Sequence, residues 1–227
     1  HGGNKRKMRS VETVRICVDD TVLADSIQGI REFGTDNVLQ TMPGEIAARQ
    51  LAIKNDILTT FEYMMAGALK GIVYDADGST ALHNMYSLFG VPAPTAVDFV
   101  FGTSTTDVAG KLLTIKRAIE IASAGFQFNG IIALCGSGFF DKLKSHASLA
   151  DAFKLQAAGS FYRDDMRTGF VYQGITFYDY NAQVGATRFI PEGDARFFPN
   201  APGAFLEVVA PADYAEAVNT MGQEFYS

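Results

Sequence analysis

The sequence predicts a mixed α+β protein, and three observations lead to this class. From about residue 45 to residue 70, apolar side chains recur at helical spacing over one long segment. The last third of the chain instead contains short aromatic segments separated by turn residues, which is typical of strands and hairpins. Apolar residues make up 48% of the 227 residues, so the chain can form a substantial core.

The N-terminal segment, residues 1–18, is predicted to be a basic strand with one polar side. Over residues 7–18, Val14, Ile16 and Val18 alternate with polar side chains, which indicates a strand that projects or lies at a sheet edge. Five cations against one acidic residue give this segment a charge of +4, in a chain whose net charge is −6. The cations are Lys5, Arg6, Lys7, Arg9 and Arg15. Such a segment can bind nucleic acid or the acidic surface of a neighbouring copy, or it can be a solvated tail.

The longest predicted helix follows Pro43 and runs from about residue 45 to residue 70, where Gly71 stops it. At 1.5 Å per residue it is roughly 40 Å long, which exceeds what a compact domain of this size usually contains and suggests a spine. Its apolar side chains form one stripe: Ile46, Ile53, Ile57, Phe61, Met64 and Ala68. We expect Ile53, Ile57, Phe61 and Met64 to pack under a sheet.

Three shorter helices are predicted from caps and apolar spacing. Residues 21–34 follow two acidic residues and form a short helix or helical turn. Asp107 caps a second helix that Gly125 closes, and residues 211–222 begin with proline and form the last helix. The second helix turns these apolar side chains inward: Val108, Leu112, Ile115, Ile119 and Ala122.

The segment "IVYDADGSTAL", residues 72–82, predicts a β-hairpin. Asp77 followed by Gly78, between strand-forming residues, is a strong turn signal because the turn requires positive φ angles. The acidic residues also have the spacing of part of a calcium-binding loop. However, Val73 and Asn84 stand where that loop needs an acidic ligand and a bidentate glutamate. We therefore predict a tight turn here and no ion site.

The second half of the chain contains the other predicted strands. Residues 130–135 form a buried strand, followed by the turn "GSG" and a helix that starts near Phe139. Residues 170–180 and residues 187–199 each form a strand, a turn and a strand, and residues 204–209 form one more strand.

Ser137, in the "GSG" turn, is the position that most resembles a catalytic one. The two glycines could cradle a phosphate at a helix N-terminus, but Asp141 stands where a dinucleotide-binding motif needs glycine. Cys135 stands where a nucleophile elbow needs glycine. His146 could meet Ser137, but a lone histidine is more often structural. We predict no catalytic, cofactor-binding or metal-binding residue, and expect Ser137→Ala and His146→Ala to leave folding nearly intact.

Three further observations bound the class of protein. Cys17 and Cys135 lie far apart in apolar surroundings and are predicted to be buried small hydrophobes, which fits a reducing, cytoplasmic origin. No apolar run approaches the ~18 residues of a membrane span. Because the chain does not begin with methionine, we expect it to be part of a longer protein from which both ends are missing.

Several unusual strings follow one another along the chain. They are "ICVDDTVLADSIQGIREFG", "TTFEYMMAGALKGIVYDADG", "IIALCGSGFFDKLKSH", "ARFFP" and "APADYAEAVNTMG". In this order they resemble the major capsid protein E family of tailed phages. The resemblance covers about residues 9–226, and the family's N-terminal arm and last strands are missing.

The resemblance implies the tailed-phage capsid fold named after phage Hong Kong ninety-seven. This fold has a peripheral domain with a long spine helix, an axial domain, and an extended hairpin called the E-loop. The resemblance implies the following division: residues 1–18 as the returning strand of the E-loop, residues 19–95 as the peripheral domain with the spine helix at about 45–70, residues 96–203 as the axial domain, and residues 204–227 as the return to the peripheral domain.

The implied function is that of a structural, non-enzymatic protein of a phage or prophage. Its copies would assemble as hexamers and pentamers into an icosahedral head, which encloses double-stranded DNA without sequence-specific binding. Other expected partners are a scaffold and a decoration protein, with no cofactor and no membrane. The expected location is the virion capsid, and the host cytoplasm during assembly. The five cations of residues 1–18 are the candidate subunit interface. Two alternatives remain, a soluble hydrolase that uses the Ser137 turn and a DNA-binding module that uses the basic segment.

Overall fold

The computed structural model describes residues 9–30, 34, 41–150 and 166–225. The helices in this part of the chain are α1 (Met42–Lys70), α2 (Met85–Phe89), α3 (Val108–Ala122) and α4 (Ser137–Ser145), with three-residue 3₁₀ helices at Ala24–Ser26, Met166–Thr168 and Ala215–Ala217. The strands are β1 (Ile72–Tyr74), β2 (Ala81–Asn84), β3 (Ile131–Cys135), β4 (Phe170–Tyr172), β5 (Ile175–Asp179), β6 (Gln183–Val184), β7 (Thr187–Arg188) and β8 (Ala195–Pro199). The protein is therefore a mixture of helices and sheets, as the sequence predicts.

The chain divides into two compact units. Residues 1–61 and residues 206–227 form one, called here the terminal unit, and residues 62–205 form the other, the central unit. All of the strands above belong to the central unit.

The central unit is built on a four-stranded sheet with the order β4–β5–β3–β8. β5 runs parallel to β3, whereas β8 is antiparallel to β3 and β4 is antiparallel to β5. The register places Ala133 between Phe177 and Phe197, and alternate residues therefore share one face. On β3 that face is buried at Ile131, Ala133 and Cys135, so the predicted buried strand is confirmed.

The buried face of the sheet packs against α3 and α4 to form the hydrophobic core. Aromatic rings fill much of it: Phe177 stacks on Phe170 at 5.1 Å and meets Phe197 edge-on at 6.1 Å. The remaining fully enclosed side chains include Val108, Leu112, Phe140, Leu143, Leu149 and Ile175.

Helix α3 begins and packs largely as the sequence predicts. The Asp107 side chain accepts a hydrogen bond from the Gly110 N–H at 2.8 Å, which satisfies one of the free donors of the first turn. Four of the five side chains expected to face inward contact or enter the core. Ala122 does not: it is exposed, because the last turn of α3 extends past the core and leaves Ile121 80% exposed as well.

Helix α1 confirms the longest predicted helix, and it begins at Met42, three residues earlier than expected. It ends at Gly71, whose φ of +84° is the left-handed conformation that glycine adopts most readily. In the described part of the terminal unit no strand covers the stripe residues Ile53, Ile57 and Phe61, which are only half-buried, so the predicted packing under a sheet is not found there; Met64 belongs to the central unit. Phe61 instead contacts the Phe225 ring edge-on at 6.2 Å.

The hairpin of β1 and β2 confirms the turn predicted at the Asp-Gly pair. The two strands are antiparallel, and Gly78 has a φ of +72°. The Asp77 carboxylate accepts hydrogen bonds from the side-chain hydroxyls of Ser79 and Thr80 and from both of their backbone N–H groups. These bonds, led by the Thr80 hydroxyl, hold the pKa of Asp77 well below its usual range. Both carboxylate oxygens are thus engaged in the turn itself.

Asp77 should make the stability of the chain depend on pH. Because its folded-state pKa is lowered, its stabilisation is complete above the unfolded-state pKa of about 3.9 and is lost as the pH falls below that value. We expect Asp77→Asn to lower the urea midpoint at pH 7, and the difference from the parent to shrink at pH 3. Asp75→Asn is the matched control, because the Asp75 side chain accepts a hydrogen bond from the backbone N–H of its neighbour Ala76, at 2.7 Å, and does not bridge the turn. An equal effect of both variants at pH 7 would contradict the assignment.

Several sequence predictions of local structure are wrong, mainly because the expected strands have no partner. Residues 7–8 lie outside the described residues, and residues 9–18 form no strand. Residues 204–209 also form no strand, and the expected helix over 211–222 is reduced to the 3₁₀ turn at Ala215–Ala217. A strand is stabilised by the hydrogen bonds and side-chain contacts of its neighbours, and the terminal unit offers none in its described part.

Three further local predictions can be compared with the structure. The strand, turn and strand predicted over residues 187–199 are confirmed as β7, the turn at residues 191–194 and β8, although the two strands pair with β6 and β3 and not with each other. The short helix or helical turn predicted over residues 21–34 is present as a 3₁₀ helix at Ala24–Ser26, which is shorter than the predicted range, and residues 31–33 lie outside the described part. Cys17 is exposed, contrary to the prediction, because its segment has no covering layer; Cys135 is buried in β3 as expected.

Candidate functional site

The basic segment predicted to form a subunit interface is only partly within the described residues. Lys5, Arg6 and Lys7 lie outside them. Arg15 is exposed, and its Nη1 lies 4.0 Å from Oδ2 of Asp213, in the C-terminal part of the same terminal unit. Arg9 is also exposed. The structure therefore shows that this segment can pair with an acidic group, and here the group belongs to the same chain.

The C-terminal segment of the terminal unit is acidic and carries no lysine or arginine. From residue 206 to residue 227 its charged side chains are Glu207, Asp213, Glu216 and Glu224. The two ends of the chain thus carry opposite charge within one unit. Exposed pairs such as Arg15–Asp213 contribute only ~0–1 kcal/mol each, so such segments act through number and register.

Arg49 joins α1 to Asp20, just after the N-terminal segment, and the sequence analysis did not predict this contact. Its guanidinium donates to the Asp20 carboxylate at 2.9 Å and to Glu45 Oε1, one helical turn earlier, also at 2.9 Å. The hydrogen bond from Arg49 lowers the pKa of Asp20. The only sequence signal was the Glu45–Arg49 spacing of four residues, which identifies a helix pair but cannot identify a partner 29 residues away.

The terminal unit has almost no core in its described part. Its buried apolar side chains there are Ile27 and Ala217, whereas the central unit encloses the whole aromatic core described above. Large apolar side chains of the terminal unit lie in solvent instead, and the most exposed are Met221 at 88%, Leu206 at 87% and Val208 at 75%. Apolar side chains left outside in this way are typical of a surface that contacts other chains.

The C-terminal end of α1 is held within the central unit by polar and aromatic contacts. The Tyr180 hydroxyl donates to Glu62 Oε1 at 2.7 Å, and burial together with this carboxylate raises the pKa of Tyr180. The Lys70 Nζ lies 5.7 Å from the ring centroid of Tyr63 and 5.9 Å from that of Tyr74. Burial lowers the pKa of Lys70. These contacts hold the C-terminal end of α1 within the central unit. No sequence pattern predicted which residues would contact each other here.

The Ser137 turn is a packing feature in the structure. A Cβ on Gly136 would lie 2.2 Å from the Pro191 carbonyl oxygen, and one on Gly138 would lie 3.1 Å from the Glu192 carbonyl oxygen. The Phe139 N–H lies in the first turn of α4 and therefore has no acceptor within the helix. It donates instead to the Glu192 carbonyl oxygen at 2.8 Å. Both glycines therefore permit a close approach of the following turn, residues 191–194, which occupies the space in front of the helix.

Ser137 and His146 do not form a catalytic pair in the structure. Ser137 Oγ accepts from Arg188 at 3.4 Å. His146 is buried, and its Nε2 lies 3.2 Å from the Thr103 carbonyl oxygen, which can only accept, so Nε2 carries the proton. Its Nδ1 then accepts from the Ser148 hydroxyl at 2.6 Å. His146 ties the end of α4 to the loop before α3, which is a structural role.

The burial of His146 corrects the expectation that His146→Ala is harmless. The substitution should lower the free energy of unfolding by about 1–3 kcal/mol, because it removes two hydrogen bonds and leaves the Thr103 carbonyl without this partner. Ser137→Ala is the matched control and should change it by less than about 1 kcal/mol, since it loses one long hydrogen bond. Urea unfolding followed by circular dichroism measures both. Equal stability of the His146→Ala variant and the parent would contradict this role.

The described ranges contain neither a helix suited to a membrane nor a cluster suited to a metal ion. None of the helices there is both long enough and apolar enough to cross a membrane. No group of three or more His, Cys, Asp and Glu side chains in the described part could hold a metal ion.

The described residues thus form a mixed helix and sheet protein, with one well-packed unit and a second unit whose large apolar side chains remain exposed. The chain belongs to the family described as phage major capsid protein E, which it matches over residues 1–227. As a member of this family it has a structural role in a phage capsid.

Two proteins that are similar to this chain are also phage major capsid proteins. The chain is 26% identical over 245 aligned residues to the major capsid protein of Pseudomonas phage KPP10, and the match covers 98% of this chain and 69% of that protein. It is 27% identical over 242 aligned residues to the major capsid protein of Salmonella phage Felix O1 (isolate Felix O1-VT1), with 91% and 65% covered. The chain thus spans about two thirds of the length of these relatives.

Proposed function

We propose that the protein is the shell-forming subunit of a phage or prophage head with the Hong Kong ninety-seven type of fold. Its copies assemble as hexamers and pentamers into an icosahedral shell that encloses double-stranded DNA without reading its sequence. The role is structural and not catalytic. The shell forms in the host cytoplasm and becomes the virion capsid, and a scaffold and a decoration protein are further partners.

One observation carries this proposal beyond the family: the terminal unit exposes the apolar side chains that a self-sufficient domain would bury. Leu206 and Val208 lie two residues apart, so in an extended segment they point to the same side. At about 25 cal/mol per Å² of apolar surface removed from water, covering such side chains with a neighbouring subunit stabilises the assembly substantially. The acidic charge of the same segment complements the basic N-terminal segment, which supports a contact between copies.

The proposed domain division is the one that the resemblance to the capsid family implies. Residues 1–18 are the returning strand of the E-loop, residues 19–95 with the spine helix at about 45–70 form the peripheral domain, residues 96–203 form the axial domain, and residues 204–227 return to the peripheral domain. The grouping of residues 206–227 with the N-terminal residues in one compact unit supports the last boundary. Residues 9–18 form no strand within a single chain, which agrees with a segment that becomes a strand only beside another subunit.

The test places a charge on the exposed apolar side chains. Leu206→Asp with Val208→Asp should abolish shells of the whole capsid protein in electron micrographs, while urea unfolding of the chain stays within about ±0.5 kcal/mol, as is usual for exposed positions. Ala215→Asp adds a charge at an exposed small residue of the same segment and should leave shell yield unchanged. Normal shells from the Leu206 and Val208 variant would remove this surface from the proposal.

The candidate interface of Lys5, Arg6, Lys7, Arg9 and Arg15 is tested in the same assay. Replacement of all five by glutamine should reduce both the yield of shells and its dependence on salt, since screening acts on charged contacts. Unchanged yield and salt dependence would show that these cations are not an interface.

A further inference from the structure

The loop before α3 borders an open groove in the central unit. The groove has a volume of about 550 Å³ and lies between residues 96–102, the first turns of α4, and the turn at Gly193 and Asp194. Its floor is aromatic, because Phe99 and Phe139 meet edge-on at 5.2 Å and are both buried. Binding sites in proteins are often concave and lined by apolar side chains in this way.

Val100, on the wall of this groove, has a backbone conformation that β-branched residues rarely adopt. Its φ is +48°, in the left-handed region, where a branched side chain is strained. The loop holds it there: the Val100 N–H donates to Asp98 Oδ1 at 2.9 Å, and the Val100 carbonyl accepts from the Thr106 hydroxyl at 3.0 Å. The result is an isopropyl group that is 47% exposed beside an aromatic floor.

The opposite end of α3 carries an apolar projection. The Thr106 contact places Val100 near the N-terminal end of this helix, whereas Ile121 lies 13 residues beyond Val108, about 20 Å further along the axis. Ile121 is 80% exposed, and Phe126, just after the helix, is 46% exposed. The central unit therefore has an apolar groove and an apolar projection at opposite ends of one helix.

The charges around the two features are complementary. Asp98, Lys142 and Asp194 line the groove. Two exposed charged residues lie beside Ile121 on α3. Arg117 comes one helical turn before it, and Glu120 comes directly before it. Asp194 already pairs with Arg196 of its own chain at 3.0 Å, so Asp98 is the carboxylate that can meet Arg117, while Lys142 meets Glu120. This pairing also fixes the direction of the contact.

We propose that the groove beside Val100 receives the Ile121 end of α3 from a second copy of this chain. This inference rests on the proposed function, and it adds the identity of one contact between subunits. Because the groove and the projection are different surfaces, the contact is head-to-tail, and such a contact closes into a ring when the rotation between copies allows it. Each copy then gives one α3 end and accepts another.

The contact is tested by disulfide cross-linking in assembled shells of the whole capsid protein. The parent carries Cys17→Ser, because Cys17 is exposed; Cys135 is kept, since it is buried and burial raises its pKa to about 12. The double variant Val100→Cys with Ile121→Cys should give, after mild oxidation, a ladder of covalent oligomers larger than dimers on non-reducing gels. A bond within one chain is impossible, because a disulfide needs Cα atoms less than about 7 Å apart.

Three comparisons make the result decisive. Each single variant should remain monomeric, and dimers from Val100→Cys alone would show a two-fold contact and overturn the proposal. Val97→Cys replaces Val100→Cys as a second groove position with normal backbone, and it should also give the ladder with Ile121→Cys. Val171→Cys, exposed on β4 away from the groove, should give none. Shells without a ladder overturn this contact alone, whereas a parent that forms no shells overturns the proposed function and the contact with it.

Discussion

Phe177→Ala is expected to lower the free energy of unfolding by about 3–5 kcal/mol, the largest effect of any substitution considered. Phe177 is fully buried on β5, next to the central strand β3, and its ring contacts those of Phe170 and Phe197. The loss combines the hydrophobic transfer of the ring with the cavity that remains, since the flanking strands are tied by backbone hydrogen bonds and cannot close it. Against a total stability of about 5–15 kcal/mol, this loss removes a large fraction of the free energy of unfolding.

The measurement is urea unfolding of the chain, followed by circular dichroism. Val171→Ala is the matched control, because Val171 lies on the neighbouring strand of the same sheet but is 61% exposed. It should change the free energy of unfolding by no more than about 0.5 kcal/mol. If both variants lost the same stability, the core would not lie on the face of the sheet where Phe177 points.

Gly136→Ala is the second substitution with a large expected effect, about 3 kcal/mol of destabilisation. The added Cβ would lie 2.2 Å from the Pro191 carbonyl oxygen and 2.8 Å from that of Glu192. Both are backbone atoms, so relief requires the turn at residues 191–194 to move. That movement would also stretch the bond from the Gly136 N–H to the Asp194 carbonyl, which is 2.9 Å long.

Gly193→Ala provides the control within the same turn. A Cβ at Gly193 would have no atom within 4 Å, so this variant should keep the stability of the parent. Thermal unfolding of both variants separates the two cases, since 1 kcal/mol corresponds to a shift of roughly 2–4 °C in Tm for a chain of this size. A Gly136→Ala variant as stable as the parent would show that the turn does not pack on the "GSG" segment as closely as described.

The candidate site shows how far sequence reasoning reached. The exclusion of a catalytic Ser137 rested on neighbouring residues that break each motif, and the structure gives Ser137 and His146 separate partners. The basic segment was visible as a charge cluster, but its pairing with Asp213 was not, because the two ends of the chain are almost 200 residues apart. The exposure of Leu206 was also hidden, since an alternating apolar segment predicts a covered strand.

The sequence by itself determined the features whose partners lie a few residues away. These include the Asp107 cap of α3, the Gly71 end of α1 and the Asp77 turn of the hairpin, because a cap or a turn is satisfied by backbone groups of its own segment. Together with the order of its characteristic strings, they led to the mixed fold and to the capsid family.

Only the tertiary structure decided which segments became strands and which stayed unpaired. Residues 204–209 contain an even larger share of apolar residues than residues 195–199, yet only residues 195–199 pair with β3 and form a strand. The physical reason is that a strand gains its hydrogen bonds and its covered face from segments far away in the chain. The same reason leaves large apolar side chains of the terminal unit exposed in its described part, while β3, β5 and β8 are paired in one sheet of the central unit.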